Sequence, residues 1–410
     1  MLSTIKIVSG AEGTPWTDAQ RACVMEVRSE HKLNDLTSFS ILMHDIPDRR
    51  SDTERRLLDV GRKVAVLVRP DRDDNWTVLF QGKVTEIETH ETQGVIGSTI
   101  LYKGVDIRAV MAGRSFTGSW SGQVSDVIAQ LIRLDFPDCV VDPPENNTLD
   151  ATENPLAQNS NNLDFLRDQA VAVGFNFWVS YATVAEDAFG GVLDALDPRP
   201  PSVTITPTIH WGQSPYLAAK IGGPSLGGGA PTLPLLGGDD AAGPITFLVH
   251  VTGRACPNVT KFEVVTDGQQ VAVMETAQPN TGLAGLIPDA GANPFASAGD
   301  ADAPVVFFVP RVVRATPEDE AVNLALETAR GFNRRVKLST TLRRIRTICY
   351  PHDLAVLEGV APALAEIQFR ISEAVHVIRL DDHFMDLVLE SDGDLPATDT
   401  TETLLEGALG

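Results

Sequence analysis

The chain has 410 residues, a formal charge of −22 and a pI near 4.7. Phosphate binding needs clustered Lys and Arg, so this balance argues against tight nucleic-acid binding and against an anionic membrane surface. A 43% hydrophobic content supports a sizeable core. Even so, the best apolar run, Val305 to Val309, is far below the ~18 residues of a membrane span, which argues against membrane insertion.

The opening Met1-Leu-Ser-Thr-Ile-Lys lacks a charged segment followed by a long apolar one, so it does not read as a signal peptide. Cys23, Cys139, Cys256 and Cys349 are scattered with no CxxC pair. They fit a reducing cytoplasm, with neither a disulfide framework nor a zinc site. The acidity serves solubility, or a passage through which DNA slides without sticking.

Residues 1–112 read as β-structure. Cys23, Met25 and Val27 alternate with Val24, Glu26 and Arg28, and Phe39, Ile41 and Met43 follow Ser38 and Ser40 in the same way, the period of a strand with one buried face. The stretch 45–56 reads as a surface loop or short helix. Gly61 to Arg69 and Trp76 to Glu88, joined by a Pro/Asp/Asn turn, predict a hairpin. A strand at 97–104 completes a small barrel or sandwich.

Residues 113–215 form a predicted α/β insert. Val124, Val127, Ile128, Leu131 and Ile132 lie at helical spacing within 121–136. Asn162 is the expected cap of a second helix whose apolar face holds Leu163, Leu166, Ala170 and Val173, and Gly174 ends it. Phe175, Phe177, Val179 and Tyr181 then alternate as a strand. The Gly/Pro-rich stretch 216–243 reads as a long loop.

Strands resume at 245–252 and 259–266, and Asp267-Gly268 turns the chain into a strand at 269–275. Within 276–335, a loop (276–303) precedes a helix capped by Thr316, with Pro317 at its first position and Glu318, Asp319 and Glu320 in its first turn. Ile367, Phe369 and Ile371 alternate, followed by Val375 and Val377. Asp381-Asp382 turns the chain into a strand at 384–390. The tail, 392–410, carries five acids and no basic residue, and reads as flexible or ordered on a partner.

Little in this order points to catalysis. The eight histidines are spread singly, with no HExxH or HxH spacing. Asp381-Asp382-His383 and Asp71 to Asp74 read as solvated turns. Neither GxSxG nor a Walker A motif occurs, and the glycine run at 222–229 has no Lys-Ser/Thr. His376, between apolar strand neighbours, reads as a core or interface histidine with a hydrogen-bond partner. No catalytic, cofactor-binding or metal residue is assigned, and no cofactor is expected.

Several segments resemble the late control protein D and VgrG-type baseplate hub family. Asn161-Asn-Leu-Asp-Phe-Leu-Arg-Asp-Gln-Ala-Val-Ala-Val-Gly-Phe-Asn-Phe-Trp178 is similar to that family's helix-and-strand signature. Tyr350-Pro-His-Asp-Leu-Ala-Val-Leu-Glu-Gly359, Val375-His-Val-Ile378 and Phe384 to Leu389 resemble its closing segment, with His352 where the family commonly has Gly. Leu36 to Ile41, Val60 to Val66 and Leu79-Phe-Gln-Gly-Lys-Val-Thr85 resemble its N-terminal strands.

The resemblance implies a mainly β, α+β fold with two similar tube-type β-barrels, an inserted small α/β module and a connecting helix. The barrels would be 1–112, and 244–275 joined by 336–391. It implies a non-catalytic homotrimer whose six barrels form a pseudo-sixfold ring in a contractile phage tail or related injection system. That ring joins a hexameric tail tube, or tube-initiator protein, to a separate central spike protein, with other baseplate and wedge proteins nearby. The expected location is the virion baseplate or injection particle, assembled in the bacterial cytoplasm. A receptor- or carbohydrate-binding tail protein and a glycan hydrolase are the alternative readings. Against the binding protein stands an aromatic content of 6%.

Overall fold

The structure is a computed structural model. It describes residues 4–10, 13–44, 57–70, 76–90, 98–137, 140–142, 156–172, 175–183, 203–212, 232–234, 245–253, 260–266, 269–276, 305–310, 336–343, 345, 347–358, 368–379 and 382–391. The expected helix at 316–335, the loop at 277–303 and the acidic tail lie outside the described residues. So do the turn at 71–75, and Val173 and Gly174.

The protein is mostly β. The N-terminal strands are β1 (Thr4–Ser9), β2 (Thr14–Pro15), β3 (Val24–Lys32), β4 (Ser38–His44), β5 (Lys63–Arg69), β6 (Thr77–His90) and β7 (Thr99–Asp106), with a short helix α1 (Asp18–Arg21) before β3. After a 3-10 helix at Ile107–Gly113 come β8 (Ser115–Trp120), α2 (Val124–Asp135), β9 (Val140–Asp142), β10 (Leu156–Asn161), α3 (Asn162–Ala172), β11 (Asn176–Thr183) and β12 (Ile205–Gly212). The rest comprises β13 (Thr232–Pro234), β14 (Ile245–Gly253), β15 (Thr260–Thr266), β16 (Gln269–Thr276), β17 (Val305–Pro310), β18 (Val336–Arg343), β19 (Leu354–Glu358), β20 (Gln368–Arg379) and β21 (His383–Ser391).

One thirteen-stranded sheet runs β14-β18-β21-β20-β3-β4-β7-β6-β5-β1-β2, with β19 and then β13 branching from β20. All its pairings are antiparallel except that of β13 with β19. The β20–β3 ladder, Glu373 opposite Lys32 through Arg379 opposite Glu26, stitches the N-terminal and C-terminal strands together. A single core spans both sides of that seam: Val27, Ile41 and Phe80 belong to the same buried cluster as Leu338, Phe369 and Leu389.

The expected hairpin at 61–88 is β5–β6. β5 is buried along both faces. Val64, Val66 and Val68 enter the main core, whereas Ala65 and Leu67 pack under Val203 and Ile205. A continuous apolar run is the pattern such double burial demands.

The close approach of strands explains the glycine in the Leu79-to-Thr85 motif. The Phe39 ring stacks on Phe80 at 4.3 Å, and it lies across the backbone at Gly82 and Gly104. A Cβ on Gly104 would sit 2.3 Å from both the Lys83 carbonyl oxygen and the Phe39 ring. Gly104→Ala therefore loses about 1–3 kcal/mol by overpacking, read as a lower urea midpoint. An unchanged midpoint would refute this packing.

Five expectations need correction. A bulge between Val24 and Glu26 shifts the register of β3, so Val24 and Val27 turn inward and Met25 is only half-buried. The cap of α3 is Asn161, whose side-chain oxygen accepts from the Asp164 N–H at 2.9 Å, while Asn162 is buried. The loop at 216–243 contains a short strand, β13, and the segment 276–335 contains β17, which pairs in parallel with β15. His383 is 3% exposed inside β21 and not in a solvated turn, because its pairing with Ile378 draws it into the sheet.

The segment 245–276 divides between two sheets. β14 pairs with β18, whereas β15 and β16 form a hairpin that pairs with β17. Around the insert, α2 buries all five residues expected from its spacing against Leu163, Leu166, Phe177, Ile209 and Trp211. The indole N–H of Trp211 donates to the Leu166 carbonyl at 3.0 Å.

Candidate functional site: a buried polar junction

Inward positions of β3 beyond Val27 are occupied by Ser29 and His31, not by apolar side chains. β20 sets His376 directly opposite Ser29, and β21 starts at His383. Three histidines from three strands thereby meet inside one sheet. The ring centroids are 5.7 Å apart for His31–His376 and 5.8 Å for His376–His383, and the Tyr350 ring lies 5.5 Å from His31.

The hydrogen bonds fix one tautomer. His376 Nε2–H donates to the Cys349 carbonyl at 3.1 Å, which leaves Nδ1 as a buried lone pair with no partner among the described residues. His31 contacts Ser29 Oγ at 3.1 Å and Thr37 Oγ1 at 3.2 Å through its two nitrogens. Burial in a medium that disfavours charge lowers all three pKa values: to about 4 for His376, to about 3 for His383, and well below the usual range for His31. The sequence expectation of a hydrogen-bonded core histidine at 376 holds.

Beside this cluster the insert is fastened to the sheet. Asp106 caps the 3-10 helix by accepting from the Arg108 N–H at 2.8 Å, and it also accepts from the Thr37 N–H at 2.6 Å. The Arg108 guanidinium donates to Asp106 Oδ1 at 3.1 Å and Oδ2 at 2.7 Å, a two-pronged pair. Its remaining donors reach the carbonyls of Phe177 in β11 at 3.0 Å and Asp35 at 2.7 Å. One buried ion pair thus joins the β3–β4 turn, the 3-10 helix and the insert.

The turn before β19 closes the junction. His352 has φ +79°, the left-handed region where glycine is cheap and other residues are strained. So the turn keeps the backbone geometry that suits glycine even with histidine in place. Its ring is buried and stacks on Trp178 at 4.8 Å, and Trp178 also stacks on His210 at 4.7 Å. The Tyr350 hydroxyl donates to the Val78 carbonyl at 2.7 Å, and the Tyr181 hydroxyl to the Gln81 carbonyl at 3.1 Å.

Between these segments lies a cavity of about 150 Å³. Its walls come from the end of β3, the start of β6, Arg108, β11 and the turn 350–353. Among the described residues no group of three His, Cys, Asp or Glu is placed to hold a metal ion. The chemistry available is hydrogen bonding by neutral imidazoles and binding by a half-buried acid, Asp353. None of Arg108, His31 and Asp353 was singled out from sequence. The signal for His31 was there: it continues the inward register of Val27 and Ser29 on β3.

No protein-family model and no curated protein sequence matches the chain. Solved structures do. The tail protein from Neisseria meningitidis MC58 superimposes with a TM-score of 0.57 and 11% identity, covering 97% of this chain and 98% of that one. The 43 kDa tail protein of prophage MuSo2 from Shewanella oneidensis gives 0.56 and 11%, covering 96% and 99%. The fold is that of phage tail proteins.

The tail-protein fold extends to the E. coli c3393 protein, a component of the type VI secretion system with structural similarity to T4 bacteriophage tail proteins gp27 and gp5. That match has a TM-score of 0.51 and 9% identity, covering 96% of this chain and 77% of that one. At such identities the likeness is one of backbone, and it carries no side-chain chemistry across. Within the tail-protein fold of this chain, the polar junction is where the insert and the two ends of the polypeptide meet.

Proposed function

We propose that the protein is a non-catalytic structural hub in the baseplate of a contractile phage tail or related injection system. The observation that carries this reading is the end-to-end likeness to a tail protein, 97% of this chain against 98% of that one. The arrangement of β-strands on both sides of an α/β insert supports it. Residues 1–112 would form one tube-type barrel, and residues 244–275 joined by 336–391 the second.

In this reading three copies present six barrels. The ring accepts a hexameric tail tube on one face and a threefold spike protein on the other, so duplication within one chain resolves the symmetry mismatch. The charge of −22 suits a channel that repels DNA. The protein would reside in the virion baseplate or injection particle after assembly in the cytoplasm.

Mass photometry and negative-stain microscopy of the purified chain test the proposal. Three copies of the 44.1-kDa chain, about 132 kDa, should form a three-lobed ring with a central channel. A particle that stays monomeric at micromolar concentration, alone and with its spike partner, sinks it.

A further inference from the structure

Two groups in the 150 Å³ cavity lack what their chemistry requires. The His352 ring is 4% exposed, and its Nδ1 has no hydrogen-bond partner among the described residues. The neighbouring Asp353 carboxylate accepts one backbone bond, from the Tyr350 N–H at 3.0 Å, and among the described residues no Lys, Arg or His pairs with it. A half-buried carboxylate without a counter-charge is partly desolvated at a cost, and a buried imidazole nitrogen without a partner is more expensive still. The nearby cations are committed elsewhere: Arg108 to Asp106, and Lys32 to Glu30 and Glu373, both at 3.9 Å.

We propose that this cavity is a binding site for an organic cation, a guanidinium or primary ammonium group, held by Asp353 and His352. The cation supplies the missing counter-charge to the carboxylate, and one of its N–H groups donates to the His352 imidazole. Aromatic walls from Trp178, Tyr181 and Tyr350 keep the local dielectric low, which strengthens the charge-assisted bond. Burial pushes the Asp353 carboxyl up to about 6, the behaviour of an acid waiting for a positive partner. Cation binding here does not depend on ring assembly, so the two proposals stand or fall separately.

The cation has two possible sources: a free small molecule, or a basic side chain of a protein seated against this face. Calorimetric titration of the full chain with ethylguanidinium chloride tests the chemistry, with N-ethylurea as its neutral isostere. Saturable ethylguanidinium binding is expected, and N-ethylurea should bind at least about tenfold more weakly.

Asp353→Asn retains an acceptor for the Tyr350 N–H and so keeps the turn, yet it should weaken ethylguanidinium by about tenfold or more. His352→Gly, which suits the left-handed backbone, should fold and also bind more weakly. N-acetyl-argininamide separates the sources: binding that depends on Asp353 assigns the site to a partner's side chain, and its exclusion assigns the site to a free cation. Absence of saturable ethylguanidinium binding overturns the proposal. Equal binding of the urea, or indifference to Asp353→Asn, does the same.

Discussion

Acidification from pH 7 to about 4.5 should unfold the protein cooperatively, because its buried histidines must take up protons to become exposed. His352, His376 and His383 have folded pKa values of about 3, 4 and 3, against ~6.5 for an unfolded chain. With the folded value depressed, the unfolded state binds more protons throughout the window from 6.5 down to the folded value. The stabilisation is complete above 6.5 and is lost as pH falls. Each histidine removes about 1.4 kcal/mol per pH unit, so the three remove roughly 4.

Asp353 works in the opposite sense. Its folded value of about 6 lies above ~3.9 for the unfolded chain, so between these limits it returns about 1.4 kcal/mol per unit on acidification. The net loss is still roughly 3 kcal/mol per unit, against a typical total stability of about 5–15 kcal/mol. His31, also lowered, adds to the loss. Tryptophan fluorescence followed against pH reads the transition. His376→Gln keeps an N–H for the Cys349 carbonyl and should reduce the proton uptake of unfolding by about one. A chain still folded at pH 3.5 would contradict the buried neutral cluster.

Asp106→Ala should be among the most damaging single changes, with a loss of about 3–5 kcal/mol. It strands the Arg108 guanidinium in the interior, uncaps the 3-10 helix and leaves the Thr37 N–H without its acceptor. Removing both charges with Asp106→Ala and Arg108→Met should recover only the part due to the stranded guanidinium, since the Thr37 N–H and the Phe177 and Asp35 carbonyls still lack their partners. Urea denaturation measures both. If Asp106→Ala costs less than about 1 kcal/mol, this pair is not what fastens the insert.

Local patterns were legible where one element decides its own geometry. The β5–β6 hairpin followed from two β-rich runs around a turn, and the buried face of α2 from five residues at helical spacing. Ambiguity entered where neighbours are chemically alike. Asn161 and Asn162 are equally good caps on paper, and only the register of α3 chooses the first. The acidic pair at 381–382 disguised the inward orientation of His383, which is set by its partner in β20.

The polar junction was not legible. His31, His352, His376 and His383 look solitary along the chain, and the β20–β3 ladder that brings His31 to His376 joins residues far apart. Arg108 draws no notice in sequence because its partners are a cap two residues away and two carbonyls supplied by other elements. Similarly, β17 is a short apolar run whose strand character depends on a neighbour, β15, that periodicity does not show.

The ladder between β3 and β20 also sets a timetable for synthesis. More than 300 residues separate the two strands. At ~5–20 residues per second a ribosome takes roughly 15–70 s to deliver the second after the first. Throughout that interval β3 presents an unmatched backbone edge, a ready template for another nascent chain. Vulnerability to aggregation therefore belongs to the newborn polypeptide and ends when its last strands arrive.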